Sequence, residues 1–368
     1  MIAANKIRVL VVEDSLVVRE LLCHIISQDP RLEVAAATAS AEEALRVLGS
    51  LKPDVISLDI RLPGMNGLDA TLEIMATQPT PIVVVAANIA CDELNIAMNA
   101  LKAGALTVVE KPVGVTHDDY REMAENLCRQ LVIMSEVRVL KQARRRSVSF
   151  AAGRDPALDE GEEVPAVANL RRHTAAPLAL GIAASTGGPS AVSQILAGLG
   201  RGFPLPVLLV QHMTDSFLPG FVSWLGETAH MPACIAQDGE RPKPGTVYAP
   251  PADRHLEIRN GLLRLSKGPM VCGQRPSGSV LFKAMAEEYG SRAIGVVLTG
   301  MGEDGAEGLL AMQKVGAFTM AEDKSTAVVY GMPAAAVQIG AVRAILPLDA
   351  IARRIHDLAI APSPGAMP

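Results

Sequence analysis

Short, nearly continuous apolar runs alternate with amphipathic stretches along most of this chain, and this alternation limits the possible folds more than any other feature. In the first 140 residues the runs are IRVLVV, LEVAAAT, DVISLD, PIVVVAA and ALTVV, separated by helical patterns such as SLVVRELLCHIIS and SAEEALRVLGS. Because helices cover both faces of a parallel sheet, its strands are apolar throughout instead of alternating with polar residues. The pattern therefore predicts an α/β fold with a doubly wound parallel sheet of five strands. Ser40 and Glu43 have the spacing of a capping box at a helix start.

A polar stretch separates two such α/β regions. Residues 141–176, which include ARRRSVSF and GRDPALDEGEEVP, contain charges, Gly and Pro but few residues that could form a core, which is typical of a flexible linker. Apolar runs return in LALGIAAS, PVLLVQH, GTVYAPP and AIGVVLTG. We predict a flavodoxin-like N-terminal domain over residues 1–140, a Rossmann-like doubly wound domain over residues 177–360 and a disordered tail over residues 361–368.

The composition argues against several classes of protein. Lys and Arg total 34 against 39 Asp and Glu, a net charge of −5, so nucleic-acid binding is not expected. No apolar run reaches about 18 residues, and the start MIAANKIRVLVVEDS lacks the hydrophobic region of a signal peptide. We therefore expect no direct membrane insertion. Five cysteines without a Cys-x-x-Cys pair indicate reduced thiols and a cytoplasmic location.

Acidic residues stand where strands of the first sheet are predicted to end. Glu13 and Asp14 follow the first strand, Asp59 ends the third, and Lys111 follows the fifth. In such sheets the ligand crevice lies at the carboxyl ends of the strands. These four residues are therefore expected to converge there. Clustered carboxylates repel one another unless a cation or protons offset them, and oxygen ligands suit Mg²⁺. A carboxylate here could attack a phosphoryl group; the alternative is a set of solvated loop carboxylates.

The stretches VLVVEDS, VISLDIRLPGMNGLD and ALTVVEKP resemble, in order and spacing, the response-regulator receiver domains. The resemblance implies that Asp59 is the phosphoacceptor and that Mg²⁺ is bound by Asp14, Asp59 and the backbone carbonyl of Arg61. It implies that Glu13 is the outer acid of the pocket and that Lys111 contacts the phosphoryl group. A sensor histidine kinase would be the phosphodonor.

Two positions depart from the receiver pattern. The Ser or Thr that normally ends the fourth strand is replaced by Ala86, with Ala87 next, and the aromatic residue before the lysine is replaced by Val108. Both changes weaken the elements that report phosphorylation to a distant surface. We expect phosphate to be accepted but coupled weakly to the rest of the protein. The resemblance also implies a cis peptide bond before Pro112.

Hydrolytic residues stand at the strand ends of the second region. In LALGIAASTGG, Ser185 follows a buried strand and precedes a Gly-rich turn, a pattern close to a nucleophile elbow. A serine needs a base, and His212 ends the next apolar run. Asp304, in VVLTGMGEDG, could orient that base, whereas the adjacent Glu303 should point elsewhere. The order Ser, His, Asp is acceptable because geometry defines a triad.

Other interpretations of these residues remain open. A serine in a Gly-rich strand–helix turn is often an N-cap or a phosphate ligand. Dinucleotide binding would require G-x-G-x-x-G, which GIAASTGG lacks. His255 is a rival base, although its charged neighbours suggest an exposed strand or loop, and His230 resembles a capping or surface residue.

Six motifs resemble, in order, the catalytic domain of the bacterial chemotaxis protein-glutamate methylesterases: ASTGG, LLVQHM, YAPPADRHL, RPSGSVLF, VLTGMGEDG and AEDKSTAVVYGMP. The resemblance implies Ser185 as nucleophile, His212 as base and Asp304 as the residue that orients it. It implicates Thr186 and the loop at Met301 in the oxyanion site. It implies methylated cytoplasmic helices of chemoreceptors as the protein substrate, with no cofactor for ester hydrolysis. Deamidation of receptor glutamines is also expected, because an amide presents the same carbonyl.

Two non-enzymatic functions compete with this hydrolase. The chain could be a receiver-containing signalling scaffold with a catalytically silent esterase-like domain, but the intact candidate triad argues against it. A DNA-binding regulator is disfavoured by the second region, which has no net charge over residues 177–368 and no helix-turn-helix pattern.

Overall fold

The structure is a computed structural model. It describes residues 6–86, 91–112, 120–137, 139 and 176–360, with only the backbone for residues 91–95. The predicted tail, and the predicted linker apart from residue 176, lie outside the described residues, as does Ala87.

The first sheet is parallel and five-stranded, as predicted, in the order β2-β1-β3-β4-β5. Its strands are β1 (Ile7–Val12), β2 (Leu32–Thr38), β3 (Val55–Asp59), β4 (Ile82–Ala86) and β5 (Thr107–Glu110). The helices around it are α1 (Leu16–Gln28), α2 (Ala41–Leu51), α3 (Gly67–Thr77), α4 (Cys91–Lys102) and α5 (Tyr120–Ser135). The helix α2 starts at the predicted cap: the Glu43 N–H donates to Ser40 Oγ at 3.2 Å. The Glu43 carboxylate in turn accepts from the Ala39 N–H at 3.0 Å.

The second sheet is also parallel and has seven strands, in the order β14-β13-β12-β6-β7-β9-β8. The predicted apolar runs form β6 (Ala179–Ala184), β7 (Val207–Gln211), β9 (Val247–Ala249) and β12 (Ala293–Val297). Strands without a prediction are β8 (Ala233–Ile235), β13 (Phe318–Glu322), β14 (Ala344–Leu346) and the antiparallel pair β10 (His255–Arg259) and β11 (Leu262–Ser266). The helices are α6 (Gly188–Leu199), α7 (Leu218–Ala229), α8 (Gly278–Tyr289), α9 (Ala306–Lys314), α10 (Met332–Gln338) and α11 (Leu348–Ile360).

The strand order reverses between β6 and β12 in this second sheet. From β6 the chain first builds the side with β7, β9 and β8, and then returns to add β12, β13 and β14 on the other side. Loops at the carboxyl ends of the two central strands therefore leave the sheet in different directions and open a crevice between them.

The two α/β units pack directly on each other through α4 of the first unit and α6 and α7 of the second. One apolar core cluster includes Met98 and Leu101 of α4 together with residues of the second unit. The Trp224 indole N–H donates to Asn99 Oδ1 at 3.3 Å, and the Ser216 hydroxyl donates to Glu110 Oε2 at 3.3 Å.

One backbone expectation was wrong. In the described part of the chain the cis peptide bond lies between Arg275 and Pro276 and not before Pro112. An X–Pro bond prefers trans by only about 0.5–1 kcal/mol, so the surrounding structure decides the isomer. Among the helices that the structure describes, none is long and apolar enough to cross a membrane.

Candidate active site and phosphoacceptor pocket

Ser185 lies at the crevice of the second sheet, directly after β6. Its N–H donates to the Thr299 carbonyl, which follows β12, at 3.0 Å. The turn after it needs glycine, because Gly187 has a φ of +78° and a Cβ there would lie 2.6 Å from the Val328 side chain. The turn ends when α6 begins at Gly188, so the serine stands between a strand end and a helix start.

His212 lies beside Ser185 because β6 and β7 are paired in parallel register. Ala184 is the register partner of Gln211, and the His212 N–H donates to the Ala184 carbonyl at 3.0 Å. The buried amide nitrogen of Gln211 donates to the Ser185 carbonyl at 2.8 Å and to the His212 carbonyl at 2.9 Å. One side chain thus ties together the backbones of both residues.

Asp304 is almost completely buried, and its oxygens face several donors. Its Oδ2 lies 2.9 Å from Nε2 of His212 and accepts from the Gly278 N–H at 2.6 Å. Its Oδ1 accepts from the Ser277 hydroxyl at 2.6 Å and from the Ser279 N–H at 3.1 Å. Burial by itself would raise the pKa of Asp304, but the hydrogen bond and charge of His212, with the other donors, lower it to about 2. The carboxylate therefore stays ionised at neutral pH.

The three residues line one cavity of about 780 Å³, together with both oxyanion candidates, Thr186 and Met301. Thr186 is buried, whereas Met301 is half exposed. The opposite wall of the cavity comes from the first unit, mainly from β5 and α5. The structure thus brings all five esterase residues predicted from the sequence to one place.

The prediction for His255 was wrong. We expected an exposed residue, but its side chain is 1% exposed, because β10 packs against α8. Its Nδ1 accepts from the Ser277 N–H at 3.2 Å, and its Nε2 lies 3.1 Å from the Pro269 carbonyl oxygen. His230 is the exposed C-cap of α7, as expected.

Sequence reasoning missed several residues behind the site. The N-cap of α8, Ser277, could have been found in RPSGSVLF as a serine before a helical pattern. No local signal pointed to Glu322, a fully buried carboxyl whose pKa is raised by burial. It accepts from the Thr299 N–H at 2.8 Å, and the Thr299 hydroxyl donates to the Thr186 carbonyl at 2.9 Å.

The acidic pocket of the first sheet forms as predicted from the strand ends. Carboxylate oxygens of Glu13, Asp14 and Asp59 lie within 4.8 Å of one another. The Lys111 ammonium lies 2.8 Å from Glu13 Oε2 and 2.8 Å from Asp59 Oδ2. Burial raises the pKa of both Glu13 and Asp59, although Lys111 opposes the change. Burial alone would lower the pKa of Lys111, but its two carboxylate partners raise it.

The donor set of this pocket fits a divalent cation. Three carboxylates face one ammonium group, so carboxylates outnumber the cation within this set of four side chains. Mg²⁺ prefers such oxygen ligands. The Arg61 N–H donates to Asp59 Oδ1 at 3.2 Å; the Arg61 carbonyl as a metal ligand stays a prediction.

Ala86 ends β4 next to this pocket and is buried. Its carbonyl accepts from the Lys111 N–H at 2.9 Å. The position next to Lys111 therefore carries a methyl group instead of a hydroxyl. Val108 is partly buried against the core cluster that the two units share.

Comparisons with known proteins match both units. Residues 180–355 match the family described as CheB methylesterase, and residues 9–124 match the response regulator receiver domain family. A protein-glutamate methylesterase/protein-glutamine glutaminase of Paramagnetospirillum magneticum is 58% identical over 97% of this chain and 98% of its own length. One from Nitrosospira multiformis is 42% identical over 96% of this chain and 97% of its own.

Solved structures resemble each unit separately. The catalytic domain of Thermotoga maritima CheB methylesterase is 36% identical, covers 50% of this chain and 100% of its own, and has a TM-score of 0.48. The response regulator domain of Thermotoga maritima CheB is 33% identical, covers 36% of this chain and 99% of its own, and has a TM-score of 0.32. On the full-length identities, the chain belongs to the family of protein-glutamate methylesterases/protein-glutamine glutaminases, with a response-regulator receiver domain ahead of the methylesterase domain.

Proposed function

We propose that this protein hydrolyses γ-glutamyl methyl esters on methylated chemoreceptor helices, with Ser185, His212 and Asp304 as the catalytic triad. The observation that carries the proposal is the buried Asp304 carboxylate, 2.9 Å from His212 Nε2, with Ser185 on the neighbouring strand end. The intact site and its relatives favour this function over a catalytically silent scaffold.

The contact between Nε2 and Asp304 supports different tasks for the two ring nitrogens of His212. Since Nε2 faces Asp304, Nδ1 is the nitrogen that takes the Ser185 proton as the hydroxyl oxygen attacks the ester carbonyl. His212 then donates this proton to the departing methoxide, and methanol leaves an acyl-enzyme. Water, deprotonated by His212, attacks the acyl carbon, and the glutamate carboxylate and the Ser185 hydroxyl are regenerated. Asp304, held ionised by its donors, stabilises the imidazolium in both steps.

Backbone N–H groups of Thr186 and of the loop at Met301 would stabilise the oxyanion, because both residues line the cavity at the serine. A glutamine side chain presents the same carbonyl, with ammonia in place of methanol as the leaving group. The same residues would then deamidate receptor glutamines more slowly, since an amine leaves less readily than an alkoxide.

Phosphorylation of Asp59 would control access to this cavity. Glu110 of β5 and Met123 of α5 line the cavity opposite the triad, so the packed receiver limits the space for a receptor helix. A sensor histidine kinase would supply the phosphoryl group. Asp14, Asp59 and the Arg61 carbonyl would hold Mg²⁺, which when bound would offset the negative charge of the phosphoryl group. Lys111 would contact the phosphoryl oxygens in place of its present carboxylate partners.

Two measurements test these proposals on the full-length chain. Methanol release from methylated receptor membranes should be lost in Ser185→Ala and kept in Ser291→Ala, an exposed serine before β12. Equal rates for wild type and Ser185→Ala would exclude Ser185 as the nucleophile. A small-molecule phosphodonor should increase the rate for wild type but not for Asp59→Asn; equal activation would exclude Asp59 as the phosphoacceptor.

A further inference from the structure

We propose that His255 is a positioning residue of the esterase site that holds both ends of the cleft-lining segment 269–277. The inference rests on the proposed esterase function and adds a residue that acts through Asp304 and through the cleft wall. His255 is 22 residues from Ser277 and 14 from Pro269 in the chain. Its ring therefore connects β10 to both ends of a segment that is distant in the sequence.

A single neutral form of the ring satisfies both of its hydrogen bonds. Its Nδ1 accepts from the Ser277 backbone N–H, so this nitrogen carries no proton. The proton is therefore on Nε2, which donates to the Pro269 carbonyl at 3.1 Å. The ring is 1% exposed, so water cannot easily replace either partner.

The Ser277 end of the segment reaches the catalytic carboxylate. The Ser277 hydroxyl donates to Asp304 at 2.6 Å, and the following Gly278 and Ser279 N–H groups also donate to it. Three of the four described donors to Asp304 thus come from this helix start, whose first N–H is bound by His255. Loss of that bond should disturb Asp304 and, through it, the orientation of His212.

The Pro269 end of the segment reaches the substrate cleft. Side chains between the two ends line the cavity: Met270, Cys272, Gln274 and Arg275. Arg275 connects this segment to two neighbouring positions: its Nε donates to Asp253 at 2.7 Å, and its Nη1 donates to the Gly268 carbonyl at 3.0 Å. Loss of the Pro269 bond should therefore loosen the wall that contacts the receptor helix.

Two substitutions separate these effects in methanol release from methylated receptor membranes. In His255→Asn the amide oxygen takes the place of Nδ1 and the Pro269 contact is lost, so KM should rise about threefold to tenfold while kcat changes less. In His255→Gln the amide nitrogen takes the place of Nε2 and Ser277 loses its acceptor. Here kcat should fall about tenfold and KM should change less. His356→Gln, exposed on α11, is the matched control.

A fluorophosphonate that labels the active serine distinguishes positioning from mere folding. The labelling rate per folded molecule should fall in His255→Gln along with kcat, whereas a purely structural role would lower only the melting temperature. The inference would be overturned if His255→Asn and His255→Gln changed kcat and KM in the same way, or if both variants kept the wild-type kcat and KM. Should His255→Gln not fold, His255→Asn decides alone: an unchanged KM overturns the proposal, and a raised KM with smaller loss of kcat supports it. A wild-type protein that releases no methanol from methylated receptor membranes would instead overturn the esterase function itself.

Discussion

Replacing Asp304 with Asn keeps the shape of the side chain but changes what it offers to its partners. The carboxylate accepts from four described donors: His212 Nε2, the Ser277 hydroxyl and the N–H groups of Gly278 and Ser279. An amide has one acceptor oxygen, so its NH₂ group must face N–H or O–H donors on the other side. Either His212 or the start of α8 then loses its partner.

The size of the effect follows from the pKa of Asp304. It is about 2 in the folded chain against 3.8 for an unperturbed aspartate, which corresponds to about 2 kcal/mol of folding free energy. Because the pKa is lowered by folding, this contribution is complete above pH 3.8 and is lost as the pH falls towards 2. Loss of the residue that orients the base should also lower kcat by about 10⁴-fold.

The assay combines methanol release with urea unfolding, followed by the fluorescence of the single tryptophan, Trp224, in the esterase domain. At pH 7 Asp304→Asn should be less stable than wild type by about 2 kcal/mol, and this difference should shrink below pH 4. Asp357→Asn, exposed on α11, is the matched control. A kcat within about tenfold of wild type, or a stability difference that does not change with pH, would refute the reasoning.

Three further outcomes are expected. Ala86→Thr should restore a hydroxyl beside Lys111 and raise the activation ratio with and without phosphodonor; an unchanged ratio would show that this position does not limit coupling. Gly188→Ala should destabilise the esterase domain in urea by about 1–3 kcal/mol, because a Cβ would lie 2.1 Å from Gln211 Oε1; unchanged stability would contradict this. Cys272 should react with iodoacetamide at pH 7 more slowly than free cysteine, because burial and nearby acidic groups raise its pKa; equal rates by mass spectrometry would contradict this.

Much of the fold could be predicted because the patterns that indicate strands and helices depend on residues close together in the chain. The five strands of the receiver sheet and the strands β6, β7, β9 and β12 are apolar runs bounded by helical patterns. The short strands β8 and β14 at the two edges of the second sheet were not predicted, and the hairpin β10–β11 stands outside the two parallel sheets and is partly exposed. The position of these segments depends on which strands pair and in which register. The spacing of residues along the chain does not indicate this pairing.

The sequence by itself determined which side chains stand at strand ends, and therefore that Ser185 would lie beside His212 and Asp59 beside Lys111, because parallel strands place their carboxyl ends at one edge. Only the tertiary structure decided that His255 is buried under Ser277, that Glu322 supports Thr299, and that the receiver face closes the triad cavity. The physical reason is the range of each interaction. Strand and helix patterns depend on neighbours in the chain, whereas burial and hydrogen-bond partners depend on segments that come together only after folding.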